Sequence, residues 1–277
     1  MDRLTIIGMG LIGTSFGLAL KKARVRNIEI VGHDIEPTNS LKAQKRGALD
    51  RVERNIFSAI KGSKVIVLAI PVMAIKEIME LIGPYIEEGT IVTDTGSTKL
   101  QVINWANEIL PDGINFIGGH PMAGREISGP DGADENLFSG AVYAICPSPT
   151  ADKFAQKYVV DLAEAMGAKP YFVSADEHDI YVAGISHLPF MLSIGLMNTT
   201  AKNPAWREMS MLAASGYRDI SRLASGDPIM HRDICLTNQE GIVYWIDEII
   251  KQLYEFRNNI RDNPDGLELS FIQAWES

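Results

Sequence analysis

The feature that most constrains the fold of this chain is a glycine-rich turn near its N-terminus. Residues 4–7 read LTII, the next six read GMGLIG, and SFGLALKKA follows after Thr14. An apolar β-branched run, a glycine cluster and a helical pattern in this order predict a strand, a tight turn and a helix. Gly8 permits the tight turn, Gly10 lets a ligand approach the backbone, and Gly13 lets the helix pack closely on the strand.

Such a turn is typical of dinucleotide binding, with the pyrophosphate at the N-terminus of the helix. A second apolar run, IEIVGHD, ends in Asp34, about 20 residues beyond the last glycine, where an acid accepts hydrogen bonds from the adenosine ribose. Because a carboxylate there repels a 2′-phosphate, the pattern favours NAD over NADP. The alternative is that Asp34 only caps the segment that follows it.

Five more strand-like runs follow, most of them separated by helical patterns such as AIKEIMELIGPYI. They lie at residues 64–71, 90–97, 114–121, 141–147 and 170–173. This spacing predicts a mostly parallel, doubly wound sheet, and hence an α/β Rossmann-type domain over residues 1–174. Ligands of such sheets bind at the carboxyl ends of the strands, where Ser97 and His120 also lie. The predicted cofactor-binding residues are Gly8, Met9, Gly10, Leu11, Ile12, Gly13, Asp34, Ala69, Ile70, Pro71 and Thr95.

After residue 174 the pattern becomes helical, which predicts an all-α domain over residues 175–262. Its first segment is apolar on most faces, which suits burial between domains or subunits and predicts a homodimer. The remaining tail, residues 263–277, begins close to the sequence NPDG, and we expect a loop or a mobile arm there.

Composition excludes several classes of function. With 26 Lys and Arg against 35 Asp and Glu, the net charge is −9, which argues against a nucleic-acid-binding protein. The two cysteines, Cys146 and Cys235, form neither a disulfide framework nor a zinc motif, and we predict no metal site. A strand begins almost at the first residue, leaving no room for a leader, and we identify no membrane-length apolar run. We therefore expect a cytoplasmic protein with no membrane role.

Four further motifs occur in a fixed order behind the dinucleotide unit. They are DTGSTK at 94–99, GGHPMAGREISG at 118–129, SHLPF at 186–190 and SGYRDISRLASGDPIMHRDI at 215–234. Together they resemble the prephenate dehydrogenase family over roughly residues 1–260. The resemblance implies NAD-dependent oxidation and decarboxylation of prephenate to 4-hydroxyphenylpyruvate in tyrosine biosynthesis. It also implies the monofunctional form, because no segment resembles a fused chorismate mutase.

The same resemblance implies roles at the reacting end of the substrate. His120 would accept the proton of the substrate hydroxyl, for which a neutral imidazole is suited. Ser97 would hydrogen-bond the same region and orient His120. Thr98 or Ser97 could also be the N-cap of the helix that follows, and both roles could coexist. Glu126 would pair with an arginine across the pocket. Arg125 departs from the threonine common in the family, and it would either recognise a carboxylate or face solvent.

Substrate binding is implied for residues of the helical domain. Arg222 would bind a carboxylate of the dianionic substrate, to which planar guanidinium is well matched. His187 would be a second pocket histidine, unless it only makes a hydrogen bond between helices. Arg218 and Asp219 would shape the pocket, with Gly216 beside them. Some of these residues would come from the partner subunit.

Three other functions are open on the sequence. Arogenate dehydrogenase performs the same chemistry on a substrate with an amino group in place of the keto group. Dehydrogenases of the β-hydroxyacid or imine-reductase kind share the two-domain plan, but they place a lysine in the helical domain where this chain has His187. A non-enzymatic NAD-binding regulator would need a partner surface or a DNA-binding element, and we identify neither in the sequence.

Overall fold

The computed structural model describes residues 2–125 and 127–276. The chain forms two compact units, Met1–Asp179 with Ser225–Asn238, and Ile180–Ala224 with Gln239–Ser277. The strands are β1 Asp2–Ile7, β2 Ile28–His33, β3 Arg51–Val52, β4 Val65–Leu68, β5 Ile91–Asp94, β6 Asn115–Pro121, β7 Val142–Pro147 and β8 Lys169–Phe172. The helices of the first unit are α1 Leu11–Lys22, α2 Pro37–Lys45, α3 Ile56–Ile60, α4 Val72–Ile82, α5 Leu100–Ile109, α6 Lys153–Ala165 and, among residues 225–238, α11 Pro228–Thr237.

The first unit is built on one eight-stranded sheet with the order β3-β2-β1-β4-β5-β6-β7-β8. Neighbouring strands are parallel except for the antiparallel pair β6 and β7. The mostly parallel, doubly wound sheet is therefore confirmed, with β3 as an additional two-residue strand. The order reverses between β1 and β4, which is the position where sheets of this class bind ligands.

Two apolar clusters cover the two faces of the sheet. One contains Phe16 and Leu20 of α1 with Val159 of α6, and the other contains Ile75 and Met79 of α4 with residues of α5. Burial of both faces explains why the strands are almost continuously apolar rather than alternating. Cys146 lies in the second cluster as a buried thiol, and burial raises its pKa to about 12.

A helical run extends over Ala175–Thr200 and consists of α7 Ala175–Val182, a π-helical turn at Ala183–His187, and α8 Leu188–Thr200. By length and hydropathy this run could cross a membrane, although 28% of its most apolar window is buried. The expectation that no segment has these properties was therefore wrong. Residues 180–201 contain no Asp, Glu, Lys or Arg.

The second unit is helical in its described residues, as predicted. Its further helices are α9 Trp206–Met211, α10 Ser215–Ser221, α12 Gln239–Asp262 and α13 Pro264–Glu276. Trp245 of α12 packs against Gly184, where an added Cβ would lie 2.7 Å from the indole. The hydroxyls of Thr200 and Tyr217, 2.7 Å apart, join α8 to α10.

The predicted loop or mobile arm at the C-terminus is wrong, since α13 occupies most of it. Pro264 is the first residue of the helix, a position where its missing N–H costs nothing. The side chain of Asn263 accepts a hydrogen bond of 3.2 Å from the backbone N–H of Gly266, as a helix cap does. The sequence NPDG is thus a helix start rather than a turn.

Candidate active site

The glycine turn of the first unit has the geometry of a pyrophosphate-binding loop. Gly8 has a φ of 95°, which favours glycine. A Cβ on Gly13 would lie 1.9 Å from the carbonyl oxygen of Gly8, so α1 can begin at this point only because Gly13 has no side chain. Around Gly10, by contrast, no described residue other than its neighbours in the chain lies within 4 Å of an added Cβ. The open space beside Gly10, at the N-terminus of α1, suits an anionic phosphate.

Asp34 follows β2, and its carboxylate contacts both the glycine turn and the segment that follows it. One carboxylate oxygen accepts a 2.6 Å hydrogen bond from the backbone N–H of Met9, within the glycine turn. The other accepts from Glu36 N–H at 2.8 Å and from Asn39 Nδ2 at 3.3 Å, which is a local cap of the following segment. The capping alternative is therefore real, but the same carboxylate is also held against the ligand loop.

The other predicted cofactor residues meet the glycine turn at the same edge of the sheet. Ala69 N–H donates to the carbonyl of Ile7 at 2.8 Å, and Thr95 N–H donates to the carbonyl of Leu68 at 3.1 Å. A Cβ on Gly8 would meet the backbone of Ala69 and the side chain of Ile70 within 3 Å. Pro71 directly precedes α4. The ends of β1, β4 and β5 thus converge on one place.

His120 is half-buried in β6 and contacts a second histidine that the sequence analysis did not single out. Its Nδ1 lies 2.9 Å from Nε2 of His178, and the two rings are inclined at 67°. Nδ1 of His178 in turn lies 2.7 Å from Oδ1 of Asp179. His178 and Asp179 are 3% and 4% exposed. The adjacent His-Asp pair in DEHDIYV was the available signal, but only the fold brings it to His120.

Asp179 also caps α5 from a distance. Its two carboxylate oxygens accept hydrogen bonds from the backbone N–H groups of Lys99 and Leu100, at 2.8 and 2.9 Å. The N-cap position of α5 is Lys99, which makes no capping hydrogen bond with its own side chain. The prediction that Ser97 could be the N-cap is therefore wrong. Ser97 is half-buried in the segment that joins β5 to α5.

A buried ion pair supports the backbone on which His120 lies. Lys99 pairs with Asp94, and both side chains are fully buried. Asp94 also accepts hydrogen bonds from Gly96 N–H at 2.8 Å and from Gly119 N–H at 3.1 Å. Gly119 is the residue before His120, and a Cβ there would lie 2.7 Å from the hydroxyl of Tyr143. Gly119, the second of the three glycines in GGHPMAG, is thus required by close packing.

The predicted residues after β6 are only partly described. Arg125 forms an ion pair with Asp134 and keeps 45% of its side chain exposed. The pKa of the Asp134 carboxyl is lowered, first by a hydrogen bond from the backbone of Asn136 and then by Arg125. Neither expectation for Arg125 foresaw this pairing. Glu126 lies outside the described residues.

The remaining predicted substrate residues belong to the second unit. His187 is 1% exposed, ends the π-helical turn, and has its ring 5.9 Å from that of Phe190. Gly216, Arg218 and Asp219 are exposed residues of α10, and Arg222 is exposed in the short helical turn that follows. All four are exposed residues within one short stretch of this unit, residues 216–222.

Comparison with known proteins gives matches over both parts of the chain. Residues 16–172 match the family described as prephenate dehydrogenase, nucleotide-binding domain. Residues 174–271 match the family described as prephenate dehydrogenase, dimerization domain. A prephenate dehydrogenase from Bacillus subtilis (strain 168) is 35% identical over 261 residues, which cover 94% of this chain and 70% of that protein.

Solved structures match over nearly the full length. The chain is similar to the crystal structure of prephenate dehydrogenase from A. aeolicus in complex with hydroxyphenyl propionate and NAD+, with a TM-score of 0.91, 29% identity, and 100% and 96% of the two chains covered. It is also similar to arogenate dehydrogenase from Synechocystis, with a TM-score of 0.83, 29% identity, and 98% and 96% coverage.

Proposed function

The chain belongs to the prephenate dehydrogenase family, and on that premise we propose that it oxidises and decarboxylates prephenate to 4-hydroxyphenylpyruvate in tyrosine biosynthesis. The observation that carries the proposal is His120, a half-buried imidazole in the strand β6, within the unit that holds the glycine turn. A histidine at the carboxyl edge of such a sheet is positioned to handle a proton beside a bound dinucleotide.

The protein is an NAD-dependent dehydrogenase. Gly8, Gly10 and Gly13 form the turn at the start of α1, and the open space beside Gly10 fits the pyrophosphate. Asp34, held by Met9 N–H, accepts hydrogen bonds from the adenosine ribose and disfavours the 2′-phosphate of NADP. When bound, NAD supplies the acceptor for a hydride.

The reaction balances with His120 as a proton carrier. The hydroxyl proton of prephenate moves to Nε2 of His120 as hydride leaves the carbon that bears the hydroxyl. The bond from the ring to its carboxylate then breaks, CO2 departs, and the electron pair makes the ring aromatic. His120 returns its proton to the phenolic oxygen, so the histidine is unchanged at the end of the cycle.

Substrate recognition requires positive charge, because prephenate carries two carboxylates. We assign a carboxylate contact to Arg222, whose planar guanidinium can bind in a bidentate manner. His187, Gly216, Arg218 and Asp219 are proposed to complete the substrate site, and Ser97 to orient His120. Glu126 is proposed to pair with an arginine. Arg125, whose guanidinium pairs with Asp134, is proposed to lie near the mouth of this site.

The second part of the chain matches a dimerization domain, and we propose a homodimer formed through it. Its large apolar side chains support this assignment, since Ile185, Leu212 and Trp275 are 73%, 86% and 86% exposed in the single chain. We further propose a cytoplasmic enzyme with its nucleotide-binding domain over residues 1–174 and its helical domain over 175–262. The adjoining limits of the two family matches, 172 and 174, support the first boundary.

Arogenate is the competing substrate, because an arogenate dehydrogenase is among the similar structures. The test compares kcat/KM for prephenate and arogenate with saturating NAD, following NADH. We expect the value for prephenate to be the higher one. A higher value for arogenate would replace the proposed substrate while leaving the family and the chemistry unchanged. Turnover of neither would remove the proposed function and revive a non-enzymatic role.

A further inference from the structure

We propose that Asp179 and His178 form a relay that fixes the tautomer of His120 and stabilises the positive charge that His120 acquires. Asp179 acts on His178, and His178 acts on His120, so both are positioning residues. The inference rests on the proposed function, in which His120 accepts the substrate proton. All three residues lie in the first unit.

The hydrogen positions follow from the acceptor at one end of the chain of contacts. A carboxylate can only accept, so the 2.7 Å contact with Asp179 requires the proton of His178 on Nδ1. When the His178 ring is neutral, its Nε2 carries a lone pair, and the 2.9 Å contact then requires His120 to donate from its own Nδ1. The Nε2 atom of His120 is therefore left with its lone pair, which is the state a proton acceptor needs.

The carboxylate of Asp179, which sets this order of hydrogen bonds, is held in place by several contacts. Two backbone N–H groups at the N-terminus of α5 donate to Asp179, and a helix N-terminus favours negative charge at that place. The backbone carbonyl of Asp179 accepts from Asn238 Nδ2 at 2.6 Å. Because His178 and Asp179 are nearly inaccessible to solvent, water does not compete for these hydrogen bonds.

The same contacts also stabilise the protonated, positively charged form of His120. When His120 accepts a proton, its ring becomes a cation whose Nδ1–H points at Nε2 of His178. The carboxylate of Asp179 contacts the other nitrogen of the His178 ring, Nδ1, and stabilises the His120 cation through His178. An aspartate that orients a catalytic histidine in serine proteases works in this way, but here a second imidazole is interposed.

Kinetics of matched variants test the role of His178. His178→Phe removes the acceptor for His120 Nδ1–H, and we expect kcat to fall about 10²-fold, in the range of general-base effects, with KM for prephenate within about twofold. His178→Gln restores an acceptor oxygen, and kcat should recover to within about tenfold of the wild type. A His178→Phe enzyme with wild-type kcat would overturn the relay, as would a Gln variant no better than Phe.

A second pair of variants separates the relay from helix capping. Asp179→Asn keeps a similar shape but no longer dictates which nitrogen of His178 is protonated, and kcat should fall at least tenfold. The control is Asp152→Asn, the same change at the N-cap of α6, where the carboxylate accepts from Ala155 N–H at 2.7 Å. The Asp152→Asn variant should lose thermal stability to a similar extent as Asp179→Asn, but its kcat should equal that of the wild type. Equal loss of kcat in both variants would assign Asp179 to capping alone.

The most direct test needs no variant and no substrate. Nitrogen NMR of the imidazole side chains in the intact enzyme, at a pH where both rings are neutral, reports which nitrogen carries the proton. The relay predicts Nδ1–H tautomers for both His120 and His178. An Nε2–H tautomer at either ring would overturn it, even if the enzyme oxidises prephenate. Correct tautomers in a protein that does not oxidise prephenate would instead remove the proposed function and keep the hydrogen-bond order.

Discussion

Lys99 and Asp94 form an ion pair in which both side chains are completely buried. Asp94 also accepts hydrogen bonds from the backbone N–H groups of Gly96 and Gly119, so both of its carboxylate oxygens have a donor. A lysine five residues after a strand is ordinarily expected at the surface. Here its ammonium neutralises a carboxylate that fixes the backbone next to His120.

Replacement of Lys99 by Met should strongly destabilise the first unit. The change leaves the Asp94 carboxylate buried without its cation, and losing one partner of a buried pair costs about 3–5 kcal/mol. Urea unfolding of the two proteins measures the difference in the free energy of unfolding. The double variant Lys99→Met with Asp94→Asn should be more stable than the single one, because no uncompensated charge remains. As a control, Lys157→Met in the exposed pair with Asp161 should leave the midpoint almost unchanged.

His120→Asn should lower kcat by about 10²-fold or more, because general-base assistance of this size is lost. The affinity for NAD, measured by fluorescence or calorimetry, should stay close to that of the wild type, since the glycine turn and Asp34 are untouched. Nearly intact turnover would show that His120 is not the proton acceptor.

Arg222→Ala should mainly raise KM for prephenate. The lost contact with a carboxylate exists in both the ground state and the transition state, so binding weakens more than kcat falls. Arg207, also exposed in the second unit, provides the comparison, and Arg207→Ala should leave KM unchanged. If the two variants behaved alike, Arg222 would have no role in substrate binding.

Asp34→Ala should weaken the binding of NAD and reduce the preference of the enzyme for NAD over NADP. The variant loses both the acceptor for the ribose and the contact with Met9 N–H. We expect kcat/KM for NAD to fall at least tenfold, about 1.4 kcal/mol, while the value for NADP falls less or rises. Measuring both cofactors at saturating prephenate tests this. An unchanged ratio between them would contradict the assignment of Asp34.

The sheet and the cofactor edge could be predicted from local sequence alone. The glycine turn and the apolar runs are each recognised within about ten residues, and Asp34 by its spacing of about 20 residues from the glycine turn, because turns and strands depend on local pattern. His120 could be placed for the same reason, since it ends such a run.

The buried residues that hold His120 and the neighbouring backbone in place could not be predicted from local sequence. His178 lies 58 positions from His120 in the sequence, and its contact exists only once the sheet and α7 have formed. Lysine is a residue type usually found at the surface, and only the fold shows that Lys99 is buried. The C-terminal helix was missed because NPDG is equally compatible with a turn and with a capped helix start.

The proposed reaction couples hydride removal to loss of CO2, with prephenate as the substrate. The direct measurement is the stoichiometry of one reaction: purified enzyme, NAD and prephenate isotopically labelled in its ring carboxylate. NADH is followed by absorbance and labelled CO2 by mass spectrometry. We expect equimolar NADH, labelled CO2 and 4-hydroxyphenylpyruvate, as the proposed reaction requires. NADH formed without labelled CO2, or no NADH at all, would contradict it.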